Sequence, residues 1–243
     1  MWLRKPNATL EEYEELCRTI EEQLHFPIGF EGCYKWIVFL NSRTDPRIPV
    51  LNRYYGIFQD GKLKVRGIDL RRHDTPGIVR RCQTDMLTLL SKANNSEEFK
   101  ALIPEALQVV KSYVHLIRTG TVPVEELVIE KRLSKKPNEY RNLVPQAIAA
   151  KHLATEGMKI HAGQTINYVL TQDKSRITHN RALPTELMDE GSGFDSERYV
   201  DLLLSSTANL LLPFGYDLAR LRDSDQGTQE TIQSSQLYEA RFC

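Results

Sequence analysis

The 243-residue chain has no net charge, with 32 Lys+Arg against 32 Asp+Glu. No apolar run approaches the ~20 residues that a membrane helix needs. The opening MWLRKPNATLEE has no apolar stretch behind its positive charges, so no secretory signal and a cytoplasmic location are expected. Cysteine is scarce. Cys17, Cys33, Cys82 and Cys243 stand singly, with no C-x-x-C pair to hold zinc or an iron–sulfur cluster. His152, His161 and His179 show no metal-ligand spacing, and no internal repeat is present.

What is there is a modular chain with enough apolar content (41%) to bury a core. Thr9-Leu10-Glu11-Glu12 reads as a capping box opening a helix whose apolar residues Leu10, Tyr13, Cys17, Ile20 and Leu24 recur at helical spacing. Strands are expected at about 30–40, 51–58 and 62–71, and helices at about 76–93, 96–118, 144–156 and 195–212. Two further strand-like runs are Leu127–Glu130 and Thr165–Leu170. Beyond Asp217 the chain is polar, and periodicity fades after about 222, as in a flexible tail.

Charge is uneven despite the zero sum. Arg47 to Arg81 holds nine Lys/Arg against three Asp, and Lys131 to Lys159 holds seven against two Glu. The acidic stretches are Glu11–Glu22 and Glu186–Asp201. Within the first basic segment, Asp60-Gly61 between two β-rich runs is a hairpin signal, because glycine tolerates the positive φ of a tight turn. Arginines beside tyrosines on such a hairpin suit a polyanion track, nucleic acid above all. A solvated charged hairpin is the plainer alternative.

The order of residues is more specific than their composition. Arg53-Tyr54-Tyr55-Gly56-Ile57, then Arg66-Gly67-Ile68-Asp69 and Arg72-His73-Asp74, resembles the paired strands of family B DNA polymerases at the junction of palm and thumb, K-K-R/K-Y leading to K/R-G-L/I/V-E/D-x-x-R-R-D. Gly29-Phe30-Glu31-Gly32-Cys33-Tyr34-Lys35 is similar to the E-Y-E-G-x-Y-K strand upstream. Downstream, Leu133-Ser134-Lys135 with Glu139-Tyr140-Arg141 and Pro145, Gly163 with Ile166, Asn167 and Tyr168, Arg181-Ala182 with Pro184, and Asp195, Tyr199 and Phe214-Gly215-Tyr216 follow the thumb in order.

The resemblance implies an α+β chain: a small palm-type β-sheet remainder with a helix, of βαβ type, over 1–73, a mostly helical thumb over 74–220, and a polar tail over 221–243. It implies DNA-binding roles for Asn52, Arg53, Tyr54, Arg66, Arg71, Arg72, His73, Ser134, Lys135, Tyr140 and Arg141. Tyr54 would pack on the sugar–phosphate backbone near the primer end, and the arginines would bind phosphates, contacts that carry little base information. Glu31 would face the family's metal site, or else be a strand carboxylate paired with Lys35 or an arginine.

The family's D-x-x-S-L-Y-P and Y-G-D-T-D motifs, which hold the catalytic aspartates, do not occur. The expected partner is a large polymerase polypeptide carrying exonuclease, fingers and catalytic palm motifs, as in archaeal polymerases encoded as two polypeptides. The assembled nucleotidyltransferase would use Mg²⁺, mainly on that partner, and primer–template DNA, and this chain alone would be inactive. The partner's strands would also complete the apolar β face of residues 30–40 and 51–58. Two departures from the family pattern imply either a weaker grip on DNA or compensation by neighbouring arginines: Leu51 and Asn52 stand where the family has lysines, and Gln146 where it has histidine. Gln233 and Gln236 do not match the spacing of a sliding-clamp peptide, and Asp223-Ser224-Asp225 lacks the flanking strand of a catalytic D-x-D pair.

Overall fold

The computed structural model describes residues 3, 5, 8–42, 44–45, 47–142, 144–171, 181–189 and 191–226. Helix α1 (Leu10–Leu24) opens as its sequence dictates: the Glu12 amide donates to Thr9 Oγ1 (3.4 Å), and the Thr9 amide to Glu12 Oε2 (3.0 Å). Three strands follow, β1 (Tyr34–Asn41), β2 (Pro49–Phe58) and β3 (Leu63–Arg66), paired in chain order as an antiparallel meander. The expected βαβ arrangement is thus replaced by consecutive hairpins, which need no crossover helix. At the second turn Gly61 takes φ +87°, and the Lys62 amide donates to Asp60 Oδ1 (2.9 Å).

The strand expected over 62–71 stops early. Gly67 turns the chain at φ +65°, and residues 69–71 form a 3₁₀ turn. A Cβ on Gly67 would lie 2.5 Å from the Asn52 carbonyl oxygen and 2.8 Å from Arg53 Cγ, so a larger residue would force β2 and β3 apart.

Helices α2 (Gly77–Leu90) and α3 (Ser96–Thr119) come next. Asn95 Oδ1 caps α3 by accepting from the amides of Glu97 and Glu98, and Gly120 closes it at φ +72°. A second antiparallel sheet forms from β4 (Ile129–Arg132), β5 (Thr165–Leu170) and β6 (Ala182–Pro184), with α4 (Pro145–Thr155) between β4 and β5. Helix α5 (Ser196–Leu211) crosses back, and α6 (Leu218–Gln226) ends the described chain.

Helices α2, α3 and α5 pack on one another, and a single hydrophobic cluster runs from Trp36 and Tyr55 of the first sheet through Phe99, Ile103 and Leu203 to Ile166 and Tyr168 of the second. No break in the core falls at residue 73. Hydroxyl and indole groups of buried aromatics stitch the ends together. Trp36 Nε1 donates to the Ala93 carbonyl (3.0 Å), and Tyr199 donates to the Leu127 carbonyl (2.6 Å) while accepting from the Leu170 amide (3.0 Å).

Residues 221–226, the start of the expected polar tail, belong to α6. Leu221 is buried, and Asp225 pairs with Arg118 of α3. The same pair gives Asp225 of the Asp223-Ser224-Asp225 run a structural contact. Cys243, Gln233, Gln236 and His179 lie outside the described residues. No helix of the described residues is long and apolar enough to cross a membrane.

Candidate nucleic-acid interface

The first basic segment is less available than its nine cations suggest. Arg47 pairs with Asp45 (3.0 Å), Lys64 with Glu31, Arg81 with Glu126, and Arg72 with Asp74 (2.9 Å). Arg53 Nη1 donates to the Asn41 carbonyl (2.9 Å) and its Nε to the Gly67 carbonyl (3.3 Å), which ties β2 to the ends of β1 and β3. Lys62, Arg66, Arg71 and Arg80 form no ion pair among the described residues, and Arg66 and Arg71 are exposed.

The expected site residues therefore divide. Arg66, Arg71, His73, Ser134, Lys135, Arg141 and Asn52 are exposed, as a phosphate contact requires. Tyr54 is not: only 2% of it is accessible, and it packs against Phe39 (ring centroids 5.9 Å apart) at a β2 position directly across from Arg66. Its ring packs within the sheet rather than standing open to solvent. Tyr140 is half-buried. Its hydroxyl accepts from the Ser134 amide (2.9 Å) and lies 3.3 Å from Ser134 Oγ, which shapes the loop that presents Ser134 and Lys135.

That loop is anchored on β4 and β5. The Leu133 amide donates to the Gln164 carbonyl and the Gly163 amide to the Leu133 carbonyl, both at 2.8 Å, and Arg132 Nε donates to the Gly163 carbonyl (2.9 Å). Lys135 and Arg141 then stand exposed on either side of a 3₁₀ turn at residues 137–139, where Glu139 accepts from the Lys136 amide. His161 is exposed, and His152 is half-buried on α4.

Between the turn that follows β3, the second sheet and α5 lies a cleft of about 430 Å³ that sequence reasoning did not find. Its walls include Asp69, Arg72 and Asp74 after β3, Lys131 and Tyr168 of the second sheet, and Arg198 and Asn209 of α5. Asp74 is the central acceptor: Arg72 donates Nε to Oδ1 and Nη2 to Oδ2, and Lys131 Nζ reaches Oδ2. These bonds, Arg72's foremost, hold the Asp74 carboxyl well below the ordinary carboxylate range. Burial pushes the Tyr168 phenol up to about 12. Asn209 Nδ2 donates to Asp69 Oδ2 (3.4 Å), a second link from the turn to a remote element.

No set of three or more His, Cys, Asp or Glu among the described residues is placed to hold a metal ion. Glu31 stands alone, with Lys64 rather than Lys35 or an arginine as its partner. The described residues do not fit a metal centre.

The sequence profile of DNA polymerase family B matches residues 14–214. The chain belongs to DNA polymerase family B. It is 27% identical over 242 residues to a DNA polymerase of Archaeoglobus fulgidus, covering 93% of this chain and 29% of that protein. To a DNA polymerase of Thermococcus sp. (strain 9oN-7) it is 30% identical over 197 residues, 80% of this chain and 23% of that one. The structure of the family B DNA polymerase from Pyrobaculum calidifontis superposes with a TM-score of 0.61 at 21% identity, over 83% of this chain and 24% of that chain. The α+β fold is thus that of a family B polymerase, and this family B chain spans less than a third of each of these relatives.

Proposed function

We propose that this chain is the duplex-positioning part, palm remainder and thumb, of a family B DNA-directed DNA polymerase whose catalytic aspartates lie on a larger polypeptide. The observation that carries the reading is the pairing of two exposed basic surfaces on one rigid core: Arg66 and Arg71 beside the β2–β3 hairpin, and Lys135 and Arg141 on the β4–α4 loop. A polymerase must hold product duplex without reading its sequence, and permanent cations on a rigid frame do this through phosphates.

The chain's own contribution to catalysis is positioning. Holding the primer end keeps its 3′-hydroxyl oriented for attack on the incoming nucleotide. In this reading the Mg²⁺ ions of that chemistry belong on the larger polypeptide, with its D-x-x-S-L-Y-P and Y-G-D-T-D aspartates. The larger polypeptide has a face to meet. Helix α1 buries none of its residues, Leu10 (48%), Leu24 (70%) and Phe26 (66%) are exposed, and β1 is an edge strand of the first sheet. The apolar strand face expected to await that partner is already covered in part, for residues 54–58 are buried within this chain. We place the assembled enzyme in the cytoplasm.

Primer extension decides the matter, with the purified chain alone and mixed with a family B polypeptide that carries D-x-x-S-L-Y-P and Y-G-D-T-D. Extension in the mixture alone is the expected result. Duplex binding without extension in the mixture would instead make the chain a non-catalytic DNA-binding accessory.

A further inference from the structure

Asp74 offers Arg72 what a phosphodiester would offer. Its two oxygens accept in parallel from Nε and Nη2 at 2.9 Å, and Lys131 Nζ shares one of them. Asp69 stands 3.8 Å from the remaining Nη1. An arginine engaged this way has given its Nε–Nη2 edge, one of its two bidentate forks, to Asp74 and keeps only the Nη1–Nη2 edge for a phosphate. Yet the group is not sealed in: the Arg72 and Lys131 side chains are 45% and 38% accessible, against 20% for Asp74, so both cations open to solvent at the rim of the cleft. Across the cleft, Arg198 donates Nη1 to the Arg181 carbonyl (3.2 Å), and the Thr75 and Ser205 side chains line the same opening. The cleft therefore has donors facing one carboxylate, in the arrangement that suits an external anion of like geometry.

We propose that Asp74 is an internal stand-in for a backbone phosphate, holding Arg72 and Lys131 together until duplex DNA displaces it. The proposal rests on the DNA-positioning reading above. Its consequence is competition. The free energy that closes the Asp74 pairs is subtracted from DNA binding, and by reciprocity bound duplex must loosen them. Removing the carboxylate costs the fold two ion pairs but frees two cations for the ligand.

The test is duplex binding by fluorescence anisotropy over a range of salt, for the wild type, Asp74→Asn and Asp60→Asn. Asp60 sits at the hairpin tip, where its carboxylate accepts from the Lys62 amide and touches no arginine, so its substitution removes the same unit of charge without freeing a fork. Asp74→Asn should bind on the order of tenfold more tightly near 0.1 M salt, with a log K against log salt slope steeper by about 1–2. Asp60→Asn should leave the slope unchanged. Unchanged or weaker binding by Asp74→Asn beside a binding wild type would overturn the proposal, because Asp74 would then orient the cations for DNA. An equal gain in Asp60→Asn would overturn it as well, since net charge alone would explain both. A wild type and variants that all fail to bind would overturn the DNA reading itself, a failure told apart by the silent wild type. Should Asp74→Asn not fold, the wild type still answers: saturating duplex must shift the Arg72 Nε–H resonance, and an unmoved signal rejects displacement.

Discussion

The Tyr55 hydroxyl donates to the Leu210 carbonyl at 3.0 Å, joining the central strand of the first sheet to the end of α5 across 155 residues of chain. Both groups are buried, and Tyr55 is wholly inaccessible. Burial also raises the phenol's pKa far above its ordinary value, so the bond keeps its proton throughout the accessible pH range. Tyr55→Phe would leave the Leu210 carbonyl without that donor. The expected loss is about 1–3 kcal/mol, and a chain of this size should then melt roughly 3–10 °C lower. A thermal unfolding curve within a degree of the wild type would mean that water or a neighbouring amide replaces the hydroxyl.

Arg118 of α3 tests whether α6 is part of the folded body. It donates Nε to Glu197 (3.0 Å) and Nη2 to Asp225 (2.7 Å), and Asp225 is the more enclosed of the two partners. Both carboxylates raise the guanidinium's pKa further. Arg118→Ala should release α6 and leave α3 and α5 packed, because Leu221 is the one buried residue that α6 contributes. The expected readout is faster amide exchange at residues 218–226 with the core unchanged. Uniform loss of protection would show that α6 and the core unfold together.

Much of this fold was legible, and the reasons are local. The Thr9 capping box, the Asp60-Gly61 turn and the Asn95 cap act within a few residues, so their chemistry is written in short stretches. What escaped reading depends on partners far along the chain. Residues 54–58 are apolar on both strand faces, and alternation could not say that Tyr54 points inward. Counting charge from Arg47 to Arg81 could not reveal that Glu31 takes Lys64, that Glu126 takes Arg81, or that backbone carbonyls take Arg53. Helix α6 has too weak an apolar repeat to announce itself, since an ion pair with a residue 107 positions earlier helps to hold it. The Asp74–Lys131 contact spans 57 residues and joins two segments that were each read as basic surface.

Acid should weaken the fold through Asp74. Its folded pKa is held down by Arg72 and then Lys131, whereas an unfolded aspartate titrates near 3.9. A depressed carboxylate stabilises the fold fully above the unfolded value, and that contribution is lost as pH falls through and below it. Thermal midpoints of the wild type should therefore drop below about pH 5 more steeply than those of Asp74→Asn, which has no such group to protonate. Parallel acid limbs for the two proteins would place the acid-sensitive pair elsewhere.

Arg66 and Arg53 lie near each other in the hairpin but should fail in opposite ways. Arg66 is exposed and has no ion pair among the described residues, while Arg53 bonds the carbonyls of Asn41 and Gly67. Arg66→Ala should weaken duplex binding equally for all sequences, flatten the salt slope by about 0.9, and leave the melting temperature within about a degree. Arg53→Ala should lower stability by about 1–3 kcal/mol through the unsatisfied carbonyls, with DNA affinity following only as the hairpin loosens. If Arg66, Arg71, Lys135 and Arg141 are phosphate contacts and duplex also draws Arg72 and Lys131 from Asp74, the wild-type slope should be about −5. A sequence-selective loss in Arg66→Ala would contradict phosphate contact, because a phosphate is the same beneath every base.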